Sequence, residues 1–553
     1  MMFTYRLLGL ALTLVTSVHA SSHCSVEDLS NFISQNDNAE VLMAQSISSN
    51  GSFGEVGNVA YPKNATYLPS LCVATINVTS SPTSSYTFGV FLPDDWNQRF
   101  LAVGNGGFSG GINWYAMGTG VKYGFATIST STGHNSTGQD MSWAIGNPET
   151  KADWAGRSLH GSTVLAKQIV EQYYGSAANK SYYSGCSTGG RQGVKSAQDH
   201  PEDFDGILAG APAWMSTSQQ LWQLKVGAIN LPVDGPGYLP TALFSVISQE
   251  VLRQCDKSDG ISDGIIMNPK HCNFRPEKLL CAPTPANQSA CLTAPQISTL
   301  KQMYLPLIQF DADVNNLTYL YPNFGLGSEL QMPASFGTNN EPSLYGTDYA
   351  KNYIFDDPDW DWRISFNYST FVEAGRLNPG NVNADNFDLS GFHSRGGKLI
   401  TYHGYADGLI PTDVSQVLYD ETYMAMAQQG VNLDEFYRLF FVPGMQHCQG
   451  SVYDAPWYFG ASDHASNLET NGQHKFPVPG VDDAKHDALL ALVAWVEGGQ
   501  EVDQLVATKY ENDTVSNGVL RQRPICKYPG FASWDGEGDV NVASSWSCVG
   551  YDS

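Results

Sequence analysis

The chain has 553 residues and a formal net charge of −25, with 42% hydrophobic and 12% aromatic residues. This composition is typical of a globular protein that is long enough for several cores, or for one core with a large insertion. The acidic balance argues against nucleic acid or an anionic membrane surface as a partner, because little positive charge is present to neutralise phosphates.

The N-terminal residues 1–20 are predicted to be a secretory signal peptide. Arg6 supplies the positive charge, Leu7 to Val18 form the apolar run, and Val18-His19-Ala20 resembles a cleavage site. A membrane anchor is the alternative, but this run is too short to span a bilayer. The sequence has no second apolar run of spanning length, so the mature protein is expected to be soluble and extracellular.

Apolar runs in the first part of the chain predict strands that alternate with helices. The predicted strands are Tyr86–Leu92, Phe100–Val103, Phe125–Ser129, Ser181–Ser184 and Phe204–Gly210. Helices are predicted from Ser158 to Tyr174 and from Gly190 to about Asp199, where His200-Pro201 ends the second one. This alternation favours a mostly parallel sheet.

The alternation stops in the middle of the chain and resumes near residue 398. The intervening stretch is rich in aromatic residues, Pro, Asn and Asp, and is interpreted as an inserted lid domain over residues 211–391. A strand at Lys398–His403, a helix from Thr412 to about Gln429, a strand at Phe436–Val442 and a helix at Lys485–Glu497 follow. The catalytic domain would therefore comprise residues 21–210 and 392–553.

Ten cysteines follow the predicted cleavage site, and an even number in a secreted chain indicates disulfides. Each pairing is a hypothesis. Local spacing suggests Cys24–Cys72, Cys255–Cys272, Cys281–Cys291 and Cys526–Cys548, which leaves Cys186 and Cys448 as a long-range pair. Nine N-x-S/T sequons mark possible glycans, at Asn50, Asn64, Asn77, Asn135, Asn179, Asn287, Asn316, Asn367 and Asn512.

The segment Gly185-Cys186-Ser187-Thr188-Gly189-Gly190 fits G-x-S-x-G, the turn that exposes a serine nucleophile between a strand and a helix. A serine hydroxyl needs a base, and the base needs a third group that orients it. His447 follows a late strand and is the predicted base. Asp407 follows the Lys398–His403 strand and is the predicted acid. The order Ser, Asp, His is that of an α/β-hydrolase, the predicted fold.

Each of these residues has a plainer interpretation. Ser187 could be a turn serine, Asp407 a helix cap, and His447 a surface histidine. Asp413 is the second choice for the acid, but it falls inside the following helix. His403 and His486 are interpreted as structural. Cys186 could be a thiolate nucleophile, which an oxidising compartment and an even cysteine count disfavour.

The oxyanion formed during ester cleavage requires hydrogen-bond donors that are already in place. In an α/β-hydrolase, one is the backbone N–H after the nucleophile, here Thr188, and the other comes from a loop after an early strand. Gly104-Asn105-Gly106-Gly107 occupies that position, so Gly106 and Gly107 are the predicted donors. An ordinary tight turn is the alternative for this loop.

An acidic loop, Cys255-Asp256-Lys257-Ser258-Asp259-Gly260-Ile261-Ser262-Asp263-Gly264-Ile265, gathers three carboxylates on a glycine-containing segment. Oxygen ligands in this arrangement suit Ca²⁺. The loop is not an EF-hand, because the bidentate Glu at position twelve is missing. A solvated acidic turn is the alternative, and any ion is expected to be structural.

Taken together, these segments resemble the fungal tannase and feruloyl esterase family. The resemblance rests on the Gly185–Gly190 motif, Gly404-Tyr405-Ala406-Asp407, His447-Cys448, the acidic loop and the glycine loop. It implies an α/β-hydrolase with a large lid, a Ser187–Asp407–His447 triad and a Cys186–Cys448 disulfide. It also implies a lid Ca²⁺ held by the side chains of Asp256, Asp259 and Asp263 and by the carbonyls of Ile261 and Ile265.

Within that family the chain is more similar to feruloyl esterases, of the B type, than to tannases. Tannases are often cleaved at a dibasic site, and this sequence has no Lys-Arg, Arg-Arg or Lys-Lys pair. The expected substrate is a feruloyl or other hydroxycinnamoyl ester on plant cell-wall polysaccharide such as xylan. The alternatives are a tannase-like gallate esterase and, in another class, a catalytically inactive carbohydrate-binding relative.

Overall fold

The structure is a computed structural model that describes residues 23–282, 290–311, 316–461, 464 and 483–550. The predicted signal peptide and Asn287 lie outside the described residues. Of the other sequons, Asn50, Asn64, Asn135, Asn179, Asn367 and Asn512 are exposed and Asn77 is half-buried.

A nine-stranded mixed sheet forms the centre of the fold. Its strands, numbered along the chain, are β1 Ala39–Ile47, β2 Leu71–Ser81, β3 Ser84–Pro93, β4 Arg99–Val103, β5 Ala126–Thr130, β6 Lys180–Cys186, β7 Gly206–Gly210, β8 Lys398–Gly404 and β9 Tyr437–Val442. The spatial order is β1-β2-β3-β5-β4-β6-β7-β8-β9. The pairs from β1 to β5 are antiparallel, and those from β5 to β9 are parallel.

The parallel strands are buried on both faces because helices cover the sheet from either side. Every residue of β5, β7 and β9 is buried, which explains their continuous apolar runs in the sequence. The edge strand β1 mixes buried and exposed positions and contains a bulge between Val41 and Met43. This irregular pattern explains why the sequence prediction lacks β1. The prediction also lacks β2, although most of its residues are buried.

The described part of the chain contains ten helices that are at least seven residues long. These are α1 Val26–Phe32, α2 Trp114–Lys122, α3 Ser158–Tyr174, α4 Thr188–Asp199, α5 Ser216–Ile229, α6 Leu243–Cys255, α7 Ala294–Tyr304, α8 Tyr368–Leu377, α9 Asp413–Ala427 and α10 Ala488–Gly498. The predicted bounds of α3 are those observed. The helix predicted to begin at Gly190 begins two residues earlier, at Thr188, directly after the nucleophile.

The segment interpreted as a lid contains helices α5 to α8 and the short hairpin Leu307–Asp311 with Asn316–Tyr321. Its buried side chains, among them Leu221, Trp222 and Phe244, belong to the same hydrophobic cluster as Phe88 and Ala102 of the sheet. The lid therefore packs on the sheet through a shared core. Further hairpins are Gly51–Phe53 with Ala65–Leu68, Gln504–Tyr510 with Val519–Cys526, and Phe531–Trp534 with Trp546–Val549.

Five disulfides are present, and their pairings are those suggested by spacing. They are Cys24–Cys72, Cys186–Cys448, Cys255–Cys272, Cys281–Cys291 and Cys526–Cys548. Among the described residues, no helix has the length and apolar character needed to cross a membrane.

Candidate active site

Ser187 occupies the turn between the last residue of β6 and the first residue of α4. Its backbone is held at φ 63° and ψ −122°, a strained conformation that projects the side chain out of the turn. The turn requires glycine because its neighbours approach closely. A Cβ on Gly190 would lie 2.2 Å from the Gly210 carbonyl oxygen of the adjacent strand. The motif residues thus form the turn that the sequence predicts.

Asp407 and His447 meet at the ends of the neighbouring strands β8 and β9. The His447 Nδ1 lies 2.7 Å from Asp407 Oδ2. This hydrogen bond orients the imidazole so that its Nε2 can serve as a base, the arrangement required to activate a serine. Asp413 is at the start of α9 and pairs with Lys270 instead.

The disulfide between Cys186 and Cys448 joins the nucleophile turn to the histidine loop. The Cα atoms of the two cysteines are 5.9 Å apart, and each is the sequence neighbour of a proposed catalytic residue. Ser187 and His447 also line the same cavity. The structure therefore brings Ser187, Asp407 and His447 together from segments that are 220 and 40 residues apart in sequence.

The Asp407 carboxylate is completely buried, and both of its oxygens accept hydrogen bonds. Oδ1 accepts from the backbone N–H groups of Leu409 and Ile410, both at 2.8 Å. Oδ2 faces His447 and also His403, whose Nε2 lies 3.0 Å away. Burial alone would raise the pKa of Asp407, but the charge of His447 and the hydrogen bonds from both histidines lower it below its usual value. Asp407 is therefore ionised at neutral pH.

The predicted oxyanion donors lie in the same cavity as Ser187. The N–H groups of Thr188 and Gly107 have no hydrogen-bond acceptor in the described parts of the chain, whereas the Gly106 N–H donates to the Tyr61 hydroxyl at 2.9 Å. The Thr188 hydroxyl donates to the Gly107 carbonyl at 2.8 Å, which holds the two segments together. Thr188 and Gly107 thus present free donors beside the nucleophile.

A cavity of about 410 Å³ is located at Ser187 and His447. Its aromatic lining consists of Tyr61, Tyr115 and Tyr345, all of which are partly buried. The inserted segment contributes Ala213, Gln219, Gln220, Gln223 and Tyr345. The lid therefore supplies one wall of the cavity, although the sequence alone does not indicate which of its residues do so.

Two further side chains contact the catalytic residues or their loops, and the sequence analysis did not predict these contacts. Gln331, from the lid, accepts through one oxygen from the backbone N–H groups of Gly408 and His447, at 2.9 and 3.0 Å. It thereby joins the acid loop to the histidine loop. His403 is structural as predicted, but its partner is Asp407. The spacing of four residues between His403 and Asp407 is the sequence feature that could have indicated this contact.

Some oxygen atoms of the acidic loop have no hydrogen-bond donor among the described residues, whereas others accept from backbone N–H groups of the loop. One oxygen of Asp259 is buried and unpartnered, and the carbonyls of Ile261 and Ile265 accept no hydrogen bond within the described chain. Burial raises the pKa of Asp259, with a backbone hydrogen bond opposing it and the charges of Asp263 and Asp256 adding to it. Asp263 differs, since its Oδ2 pairs with Arg523 Nη2 at 2.7 Å. The carboxylates of Asp256, Asp259 and Asp263 do not form a group with metal-ligand spacing in the described chain. The observation that favours a cation here is the buried, unpartnered oxygen of Asp259.

Comparison with known protein families shows to which family the chain belongs. Residues 71–549 match the family profile described as "Tannase and feruloyl esterase". The chain belongs to the tannase and feruloyl esterase family. As a member of this family, the protein is a carboxylic ester hydrolase.

Individual relatives cover most of this esterase. It is 36% identical over 479 residues to a probable feruloyl esterase B-2 of Aspergillus terreus, covering 87% of this chain and 86% of the relative. A probable feruloyl esterase B of Emericella nidulans is also 36% identical, over 482 residues, with the same coverage.

Solved structures support the fold of the esterase. Feruloyl esterase B from Aspergillus oryzae superposes with a TM-score of 0.84 at 30% identity, covering 96% of this chain and 100% of that one. A tannin acyl hydrolase from Aspergillus niger superposes with a TM-score of 0.71 at 19% identity over 96% of each chain, which shows a common fold. The α/β-hydrolase fold predicted from the sequence is confirmed.

Proposed function

We propose that this esterase hydrolyses feruloyl and related hydroxycinnamoyl esters of plant cell-wall polysaccharide through an acyl-enzyme on Ser187. The observation that carries the proposal is the 2.7 Å contact of Asp407 with His447, which lines the same cavity as Ser187. The relatives named feruloyl esterase, at about a third identity over most of both chains, support the substrate class.

In the first half of the reaction, His447 Nε2 accepts the Ser187 hydroxyl proton as the serine oxygen bonds to the ester carbonyl carbon. The carbonyl oxygen becomes an oxyanion, which accepts hydrogen bonds from the N–H groups of Thr188 and Gly107. Asp407 stabilises the imidazolium. When the tetrahedral intermediate collapses, the ester C–O bond breaks and His447 donates its proton to the departing alcohol.

In the second half, water takes the place of the alcohol. His447 accepts a proton from the water molecule as the water oxygen attacks the acyl carbon. The second oxyanion that forms accepts hydrogen bonds from the same two N–H groups. Collapse breaks the bond to Ser187, the serine recovers its proton from His447, and the carboxylic acid leaves. Each half needs the same three side chains and the same two N–H donors.

Covalent labelling tests the catalytic assignment. A serine-directed phosphonate is expected to label Ser187 in the folded protein, and Ser187→Ala is expected to lose at least about 10⁴-fold in kcat. Absence of label at Ser187 in folded protein would support the inactive carbohydrate-binding alternative.

The substrate class is tested by comparing kcat/KM for methyl ferulate and methyl gallate. A preference for gallate would overturn the assignment of hydroxycinnamoyl esters as substrates.

Secretion and glycosylation also belong to the proposal. Five disulfides suit an oxidising compartment, and six of the nine sequon asparagines are exposed. Recovery of the protein from the culture medium of a fungal host, with a mass that falls on treatment with an endoglycosidase, is the expected result. An intracellular, unglycosylated product would contradict it.

A structural Ca²⁺ ion in the lid is proposed from the acidic loop. Asp256, Asp259 and Asp263 would supply carboxylate oxygens, and Ile261 and Ile265 would supply carbonyls. A bound cation would neutralise the buried, unpartnered Asp259 oxygen. The loop lies in the lid next to the Cys255–Cys272 disulfide, so its expected effect is on stability.

A further inference from the structure

A group of metal-ligating side chains lies at the end of the nucleophile helix that is distant from Ser187. It consists of His160 on α3 and of His200 and Glu202 in the turn after α4. Each offers one nitrogen or oxygen atom, and these atoms lie within 4.8 Å of one another. Among the described residues, no other group of three or more His, Cys, Asp or Glu side chains has this spacing. The length of α4, about 18 Å, separates the group from the triad.

The turn after α4 is short and is held in place by hydrogen bonds. His200 follows the last residue of the helix directly, and Pro201 restricts the backbone at the next position. The Asp203 N–H donates to the His200 carbonyl at 3.0 Å, which closes the turn. Lys167 of α3 donates to the Asp203 backbone carbonyl. The backbone that carries His200 and Glu202 is therefore fixed against α3.

A buried carboxylate beside His160 is a second, independent observation. Asp203 is 2% exposed, and its two oxygens lie 3.2 and 3.0 Å from the Nδ1 of His160. This contact assigns the hydrogen of a neutral imidazole to Nδ1 and leaves Nε2 as the atom that can bind a metal. Histidines that bind metals almost always donate their other ring N–H to a carboxylate, a carbonyl or a water molecule. His160 has this arrangement.

The three side chains can approach one ion with small rotations. The rings of His160 and His200 stack with centroids 3.6 Å apart and planes 11° from parallel, and the His200 Nδ1 is 3.9 Å from a Glu202 carboxylate oxygen. A metal ion binds in the plane of an imidazole, about 2.0–2.1 Å from its nitrogen, so the rings must turn out of the stack to share one. The two side chains are 31% and 36% exposed, which leaves room for this movement.

We propose that His160, His200 and Glu202 bind one divalent transition-metal ion, of which Zn²⁺ is the representative, and that the ion joins α3 to the end of α4. Two imidazole nitrogens and one carboxylate oxygen, with water in the remaining position, form a ligand set that suits Zn²⁺. Ca²⁺ and Mg²⁺ prefer oxygen ligands alone. Glu202 and Asp203 together supply two negative charges beside the ion. Because the site is distant from the triad, its effect is on stability.

Calorimetric titration of the untagged protein with ZnCl₂ tests the proposal, in a buffer with excess CaCl₂ that keeps Zn²⁺ from the acidic loop. We expect one equivalent to bind with a micromolar Kd and to raise the melting temperature by several degrees. In His160→Gln and His200→Gln, both the binding and the rise are expected to disappear. Co²⁺, used as a spectroscopic probe, is expected to give visible absorption bands in the wild type that both variants lack.

Two further variants examine the carboxylates. Glu202→Gln changes a side chain that is 55% exposed, so folding is preserved and only the ligand is weakened. Asp203→Asn retains the shape of the residue that orients His160. We expect each variant to raise the Kd for Zn²⁺ by at least about tenfold, the range found when a residue that supports a ligand is replaced.

His393→Gln is the matched control. His393 is also partly exposed, and its Nε2 lies 3.1 Å from a carboxylate oxygen of Glu435, but it belongs to no group with ligand spacing among the described residues. Its substitution is expected to leave the Kd for Zn²⁺ and the rise in melting temperature unchanged.

The outcomes are independent of the proposed function, because binding and melting are measured without an ester substrate. Absence of Zn²⁺ binding in the wild type overturns the proposal. Binding that persists unchanged in both His160→Gln and His200→Gln, or that His393→Gln removes equally, also overturns it. In each of these cases His160 and His200 are a stacked pair held by Asp203, and the esterase assignment is unaffected.

Discussion

At the scale of single residues, the Asp407 carboxylate connects several parts of the site through hydrogen bonds. It accepts from two backbone N–H groups and from two histidines, and it is completely buried. His403 is itself fixed, because its Nδ1 lies 2.7 Å from the Ser415 hydroxyl. A donating N–H from His403 removes part of the cost of burying the Asp407 charge, so we expect His403 to act as a positioning residue.

Substitution of His403 tests this role. His403→Leu is expected to lower kcat on methyl ferulate by about tenfold with little change in KM, since a hydrogen bond to a charged group contributes about 1.5–3 kcal/mol.

His403→Gln is the conservative comparison, because its amide can still donate to Asp407. We expect it to recover part of kcat. If both variants lose activity equally, His403 contributes only to packing.

The sequence predicts the triad well because chain order and position after a strand constrain it strongly. Ser187 and His447 each adjoin a cysteine, which adds a second signal. Gln331 carries no comparable signal, since a glutamine in an irregular lid segment resembles any polar loop residue. Its contact with the N–H groups of Gly408 and His447 depends on how the lid folds back over the sheet.

At the scale of elements, the Cys186–Cys448 disulfide links the end of β6 to the loop after β9. It constrains the distance between the nucleophile turn and the histidine loop, which catalysis requires to within a fraction of an ångström. The surrounding sheet is held by its own hydrogen bonds and core. We therefore expect the disulfide to matter more for geometry than for folding.

The double variant Cys186→Ala/Cys448→Ala measures this contribution without leaving a free thiol. We expect kcat to fall by at least about tenfold, since small misplacements of catalytic groups can cost up to about 100-fold. The far-UV circular dichroism spectrum is expected to remain unchanged. Cys24→Ala/Cys72→Ala, which removes a disulfide distant in sequence from the triad, serves as the control and should retain kcat. Full kcat in the first variant would show that the disulfide only stabilises the fold.

The acidic loop gives a prediction about metal removal. If Ca²⁺ is bound, a chelator should lower the melting temperature by several degrees, because a ligand at 100 times its Kd stabilises by about 2.7 kcal/mol. Asp259→Asn should lower the melting temperature similarly and make it insensitive to the chelator. Elemental analysis should find calcium in the wild type and not in the variant. An equal response of both proteins to the chelator would contradict the assignment.

The lid is the part of the fold that sequence patterns describe least well. In α5, buried residues surround the helix on all sides and include polar ones such as Gln219 and Thr217. No amphipathic period results, because one side packs on the sheet and lid while another faces the cavity. The parallel strands are predicted well for the opposite reason, since continuous burial gives them unbroken apolar runs.

At the scale of the whole molecule, the lid is connected to the catalytic domain at both of its ends and through the nucleophile helix. Arg191 of α4 is completely buried, and its guanidinium donates to the carbonyls of Ala155 and Val382 at 2.6 and 3.3 Å. Lys195, one turn later, donates to the Asn383 carbonyl at 3.1 Å. The helix that begins after Ser187 therefore fixes the segment by which the chain returns from the lid.

This arrangement predicts that the lid and the nucleophile helix are thermodynamically coupled. Arg191→Met keeps the length of the side chain but leaves buried carbonyls without a donor. We expect a loss of about 3 kcal/mol in the free energy of unfolding, together with faster hydrogen exchange at residues 382–384 and a lower kcat. Arg253→Met, which removes an exposed ion pair with Glu250 on lid helix α6, is the control and should change stability by less than about 1 kcal/mol. If Arg191→Met loses stability without faster exchange at residues 382–384, Arg191 stabilises α4 alone and the lid is held by its hydrophobic contacts with the sheet.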